Sequence, residues 1–255
     1  MRYGCQARSW LIEGIPLEHV LSEIRQAGYQ GVEIGYQFLS ARSPEQLQNL
    51  LNANGLALSA IHWSPLWHEM SDHDARSETQ KLLPYVKSGG VAILTSSTNS
   101  PDLIDSQGLS AAKRANHQMH IAQEILRDSG VDLLFHNHAW EFSKPYLFDT
   151  ISDEMDLAVD IAHLERGTQQ AERHLVEWGN RVRYLHLRNI ADGHWVPALG
   201  LGRLPLCEWL KKISADITWA VVEMEPDPLF PDVVKTWQEP LLEYAKESRQ
   251  YLARC

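Results

Sequence analysis

Short apolar segments rich in β-branched residues alternate along the chain with longer segments whose apolar positions recur at helical spacing. The first kind predicts strands at Tyr3 to Ala7, Gly31 to Ile34, Ala57 to His62, Val91 to Thr95, Val131 to His136, Leu157 to Asp160, Val182 to Leu187 and Trp219 to Glu223. The second predicts helices over Pro16 to Ala27, Pro44 to Asn54, Ala75 to Lys87, Leu109 to Ser129, Thr168 to Trp178, Leu206 to Lys212 and Val234 to Leu252. Ser43-Pro44 with Gln46 reads as a helix start with proline in the first turn. Glycines at 28, 55, 89, 90 and 130 stand where helix C-caps should precede the second to fifth strands. Between Glu141 and Leu157 the chain is too short for a full helix with two loops, so an irregular or very short helix is expected there.

Strand and helix alternate eight times without a long linker, which favours an α/β fold of one closed (β/α)8 barrel, residues 1–255 as one domain, over an open doubly wound sheet. A chain that is 44% hydrophobic can bury such a core. No GxGxxG or GxxxxGK[ST] loop follows the first strand, which removes the common dinucleotide and P-loop signatures. Cys5, Cys207 and Cys255 are far apart and free of CxxC spacing, so neither a disulfide framework nor a thiolate metal site is expected. With no apolar run near the ~18 residues of a membrane span and no secretory n-region, a cytoplasmic protein without a membrane partner is expected. The net charge of -10 would repel a phosphate backbone, which argues against nucleic acid.

The C-terminal ends of barrel strands converge on one mouth, where such folds place their chemistry. Here nearly all of those ends are polar: Glu33, then His62-Trp63, Thr95 to Ser97, His136-Asn137-His138, Asp160 with His163, His186 with Arg188, and Glu223 with Glu225. Each residue has a plain structural account. Asp160 could cap a helix, Glu223 could be a rim ion pair, Glu33 could be solvated and any one histidine could be a hydrogen-bonded core group. Together, carboxylates on the sixth and eighth strands and imidazoles on the fifth and seventh make the mixed N/O set suited to one divalent ion: Mn, Co, Zn or Fe, with Mg possible.

The segments "FHNHAWEF", "LAVDIAHLERGTQQAERHLVEWGNRVRYLHLRNI", "ALGLGRLPL" and "VVEME" resemble, in order and spacing, the sugar phosphate isomerase/epimerase family with a xylose isomerase-like barrel. That group includes ketose 3-epimerases, hydroxypyruvate isomerase and inosose dehydratase. "GYQGVEIGY" and "LALSAIHW" resemble its second and third strands. The resemblance implies that Asp160, His186 and Glu223 are metal ligands and that His163 and Arg188 face the substrate. Ketose epimerases of the family carry a glutamate at the fifth strand end, where this chain has His136. His136, or else His138, would supply the fourth ligand, and His136, His163 and Glu223 are the candidate acid/base groups. Glu33, His62, Trp63, His138 and Glu141 are expected beside the substrate, a sugar, ketose or cyclitol.

The histidine matters to mechanism. Two opposed carboxylates can take a proton from one face of a carbon beside a carbonyl and return it from the other. With His136 in place of one, a single-base route remains: a Lewis-acidic ion favours an enediolate, which is reprotonated at the neighbouring carbon or expels a β-hydroxyl. The expectation is thus an isomerase or epimerase, with an inosose-type dehydratase as the alternative. Trp63, Trp67 and Trp140 could stack on a sugar face or could pack beneath loops. A metal-free barrel serving as a partner subunit is a further alternative, and a homo-oligomer is possible. Asp160, His163, His186, the Asp192 and His194 pair and Glu223 also resemble part of the endonuclease IV set, but Thr95 stands where that fold needs a histidine. The letters HNH at residues 136–138 lack the ββ-helix-metal context of the nuclease motif of that name.

Overall fold

The structure is a computed structural model. It describes residues 1–39, 41–86, 92–96, 101–144, 146–213, 217–225 and 240–255, and the side chains of all of these except 101–107. Its strands are β1 (Arg2–Gln6), β2 (Gly31–Gly35), β3 (Ala57–His62), β4 (Ala92–Thr95), β5 (Leu133–His136), β6 (Asp156–Asp160), β7 (Val182–Leu187), β8 (Ile190–Ala191), β9 (His194–Trp195) and β10 (Trp219–Val222). Eight of them close into a parallel barrel in the order β1-β10-β7-β6-β5-β4-β3-β2, while β8 and β9 form a separate antiparallel hairpin. The helices are α1 (Arg8–Ile12), α2 (Leu17–Gln26), α3 (Pro44–Asn54), α4 (Asp72–Val86), α5 (Pro101–Asp128, broken at Gly108), α6 (Leu147–Ile151), α7 (Ile161–Thr168), α8 (Ala171–Trp178), α9 (Leu206–Lys212) and α10 (Leu241–Leu252). This is the (β/α)8 barrel that the alternation predicts. Expectations for Lys87, Gly89, Gly90, Val91, Ser97 and residues 234–239 lie outside the described residues.

Successive strand side chains point to opposite faces, and the barrel shows the consequence. Ala60, Leu94, Leu134, Ala158, Tyr184, Trp219 and Val221 form one buried cluster, separate from the larger one between strands and helices. Trp219 needs room, and glycine supplies it: a Cβ on Gly31 would lie 2.4 Å from the indole. Two residues beyond this apolar interior, on the same face, come Gln6, Glu33, His62, Ser96, His136, Asp160, His186 and Glu223. The polar layer is thus the next rung of the same period-two pattern.

Local signals account for several boundaries. Gln46 N donates to Ser43 Oγ at 3.2 Å and Ser43 N to Gln46 Oε1 at 2.8 Å, a reciprocal box that starts α3. Gly55, at φ 62°, ends it in the left-handed conformation. After β5 the chain makes one tight turn over Ala139–Phe142 and then the five-residue α6, the short segment expected between Glu141 and Leu157.

Two expectations need correction. The helix read from Thr168 is α8, which starts only at Ala171 because Gln169 turns left-handed at φ 56°, and an unexpected helix, α7, starting directly on Asp160, precedes it. The cysteines also differ from expectation: Cys207 on α9 and Cys255, just beyond α10, are joined as a disulfide with Cα atoms 4.7 Å apart, and Cys5 is free and buried. With the pair 48 positions apart in sequence, only packing of the chain's last turn against α9 brings them together. Among the described residues no helix is long and apolar enough to cross a membrane.

Candidate metal centre

His136, Asp160, His186 and Glu223 are all buried, and one ligand atom from each lies within 4.8 Å of the others. His186 is the middle of the group. Its Nδ1 is 2.8 Å from His136 Nε2 and 2.9 Å from Glu223 Oε2, while its Nε2 is 2.6 Å from Glu33 Oε2. Three lone-pair atoms therefore converge on one point, and only a proton or a cation there reconciles them. Asp160 Oδ2 and Glu223 Oε2, both enclosed, accept no well-formed hydrogen bond. Two imidazoles and two carboxylates, whose inner oxygens meet only His186 Nδ1 and Arg188 Nε, fit a divalent ion of the borderline class.

The electrostatics agree with that donor set. Burial holds the His136 ring well below the ordinary histidine range, aided by the neighbouring imidazoles, so it is neutral and has a lone pair to give. Burial would also lower His186, but the charges of Glu33 and Glu223 prevail and hold it up at about 10. Burial raises the Asp160 carboxyl, with Arg188 opposing. For Glu223 burial pulls the same way but loses to Arg188 and His186, leaving the carboxyl well below its ordinary range.

Neighbouring residues hold these groups in place. Asn137 exchanges hydrogen bonds with the backbone of Asp160, its Nδ2 donating to Asp160 O at 3.2 Å and its Oδ1 accepting from Asp160 N at 2.9 Å. Asp160 Oδ1 accepts from His163 N at 2.8 Å and so caps α7. Arg188 joins the carboxylates: Nε is 3.0 Å from Asp160 Oδ2, and Nη2 pairs with Glu223 Oε1 and lies 3.5 Å from Glu225 Oε2. Its guanidinium lies 4.0 Å from the centre of the Trp195 ring, which also meets His163 edge to face at 4.7 Å. His163 Nδ1 accepts from Ala139 N at 3.2 Å, which leaves the ring proton on Nε2.

Some expected positions come out differently. Glu33, read as substrate-facing, is fully enclosed, with both oxygens occupied by Gln6 Nε2 at 2.8 Å, Tyr184 OH at 2.9 Å and His186. Burial alone would raise its carboxyl, but His186 and His62 bring it down to about 2. Glu141, also read as substrate-facing, is buried and folds back to accept from His138 N at 2.7 Å, closing the turn after β5. Trp63 and Trp67 pack on each other with ring centres 4.8 Å apart, Trp67 Nε1 donates to Thr95 Oγ1 at 2.7 Å, and Trp140 lies against the hydrophobic core. Trp63 and Trp67 are thus buried and Trp140 half-buried. His62 and His138 remain half-buried near the cluster, their ring centres each 5.1 Å from that of His136.

Tyr184 and Trp195 escape a reading by strand ends, whereas Gln6 ends β1 and lay within its reach. Trp195 had a signal: Asp192-Gly193, with φ of 50° and 81°, is the two-residue turn of a β-hairpin, and the hairpin lays Trp195 over Arg188.

Comparison with known proteins places this geometry in context. Among solved structures, the 3-keto-D-glucoside 4-epimerase YcjR from E. coli aligns with a TM-score of 0.74 at 15% identity, over 100% of both chains. The probable 3-DHS dehydratase AsbF from Bacillus anthracis gives 0.74 at 14%, covering 99% of each chain. A D-psicose 3-epimerase solved in the presence of D-fructose gives 0.72 at 14%, covering 100% of this chain and 98% of its own. At such identities the likeness is one of fold. The rhizopine catabolism protein MocC of Rhizobium meliloti is 37% identical over 71 residues, which is 28% of this chain and 20% of that protein. The match thus spans about a fifth of the relative's length. The family model described as xylose isomerase-like TIM barrel matches residues 21–255, nearly the whole chain, and the protein belongs to that family.

Proposed function

We propose that the protein is a divalent-metal-dependent isomerase or epimerase of a sugar or keto-polyol, with residues 1–255 acting as one catalytic domain. The observation that carries the reading is the convergence of His136, Asp160, His186 and Glu223, within 4.8 Å, at the C-terminal ends of four adjacent barrel strands. An ion held there supplies Lewis acidity to a ketone and its neighbouring hydroxyl.

The chain's own residues supply the rest. Glu223 is the base as well as a ligand: Arg188 fixes its Oε1, and the carboxylate takes the proton from the carbon beside the carbonyl. His163, neutral because burial lowers it far below its ordinary range, presents Nε2–H as a donor to a substrate oxygen. Trp195 and Arg188 wall the same side, and His62 and His138 line the approach. Arg188 already faces Asp160, Glu223 and Glu225, which leaves little attraction for a phosphate and favours a neutral ketose or cyclitol.

A dehydratase reading is the second one, and His136 favours it. Where a two-base epimerase needs a second carboxylate at the end of β5, this chain has a neutral imidazole, so the proton Glu223 takes is returned to the neighbouring carbon or leaves with the β-hydroxyl as water.

Protein purified without chelator should carry about one Mn, Co, Zn or Fe per chain by elemental analysis. In deuterated water it should exchange the C–H beside the carbonyl of a ketose or inosose, as followed by NMR. No ion bound, and none taken up on reconstitution, would end the reading.

A further inference from the structure

We infer that Glu33 is a positioning residue for His186: it holds the proton on Nε2 and thereby commits Nδ1 to the metal. The inference rests on the metal reading above and goes beyond it in assigning a ligand atom and the group that selects it. Imidazole can ligate through either nitrogen, and the choice is set by the hydrogen bond at the other one. At His186 the two nitrogens have opposite surroundings. Nδ1 faces His136 Nε2 and Glu223 Oε2, the other members of the donor set. Nε2 faces Glu33 Oε2 alone, at 2.6 Å.

Glu33 is itself held. Its Oε2 also accepts from Tyr184 OH, its Oε1 accepts from Gln6 Nε2, and the Tyr184 hydroxyl lies 3.0 Å from Ser59 Oγ. Three donors from β1 and β7 thus aim at one group on β2. Only a carboxylate, which accepts at both oxygens and donates at neither, satisfies all three. An isosteric amide would set an NH2 against at least one of them. The arrangement has the form of a carboxylate–histidine–metal triad, in which losing the outer carboxylate typically weakens metal binding about 10–100-fold.

The test uses zinc as the probe. In zinc-loaded wild-type protein labelled with 15N-histidine, long-range 1H–15N spectra should show His186 with Nε2 protonated and Nδ1 bound to metal. This arm needs no variant, so a folding failure cannot obscure it. The second arm is zinc affinity of Glu33→Gln against wild type by competition with a chelating dye, with far-UV circular dichroism as the check on the fold. About 10–100-fold weaker binding by a folded variant is expected. Zinc bound through Nε2 in wild type, or a folded Glu33→Gln variant that holds zinc as tightly, would overturn the inference and leave the metal reading standing. Wild type that takes up no zinc would overturn both.

Discussion

The two sides of the barrel mouth draw on the same rung of the same pattern yet use it differently. On β5, β6, β7 and β10 the rung carries His136, Asp160, His186 and Glu223, whose donor atoms meet. On β1, β2, β3 and β4 the corresponding positions carry Gln6, Glu33, His62 and Ser96, and these bond to the fold or to the first set. Gln6 donates to Glu33, Glu33 accepts from His186, and the Ser96 backbone and hydroxyl both donate to Ser64 Oγ, to which His62 Nε2 also lies close. A polar residue at a strand end therefore does not by itself face substrate. What separates the halves is whether partners within the chain already satisfy it.

The sharpest break of that contrast is Asp160→Asn. Asparagine can still cap α7, so the fold should persist, while bound metal falls to near zero and turnover drops by at least ~10³-fold. Metal content beside a thermal melt checks both halves of the statement, and a variant that keeps its ion would dissolve the contrast. Next comes Glu223→Gln, which removes the base and weakens one ligand: with the ion supplied in excess, kcat should fall ~10²–10⁴-fold. A pure KM effect would move the base elsewhere.

The bridge between the halves, Glu33 with His186, gives a pH signature in chelator-treated protein. Glu33 is lowered from 4.5 to about 2, so its stabilisation is present above about pH 4.5 and fades as pH falls towards 2. His186 is raised from 6.5 to about 10, so its share is complete below about pH 6.5 and fades as pH rises towards 10. Urea unfolding against pH should place the pair's maximum contribution between those limits, and the Glu33→Gln variant should flatten both arms. The smallest effect belongs to Glu141→Ala: about 1–2 kcal/mol of stability through the lost turn closure, with KM within about twofold. A tenfold rise in KM would return Glu141 to the substrate side.

Much of this was legible because it is local. A β-branched run preceded by a glycine that ends a helix marks its own strand, and the capping box at Ser43 marks its own helix. The four donors could be found the same way, since each is the last inward residue of a strand or lies just past it. Partnership is not local. Glu33 reads as a substrate-side group until the barrel closes and sets it against His186, 153 residues away. Glu141 reads as a ligand for hydroxyls until the backbone turns and brings His138 N to it. The five residues of α1 were too few for periodicity to register, and α7 was hidden because its first turn coincides with residues read as chemistry. The Cys207 and Cys255 pair shows only when α9 and the last turn of the chain stand side by side.

Asn137 carries a practical lesson for anyone who would retool this scaffold. Its side-chain amide extends the pairing of β5 with β6 past the last backbone match of His136 with Ala158, by bonding to both the N–H and the C=O of Asp160. It is a rung built from a side chain, placed where the two backbones begin to part. A loop graft meant to change specificity should therefore splice after Asn137. Cutting one residue earlier would unpin the aspartate along with the loop.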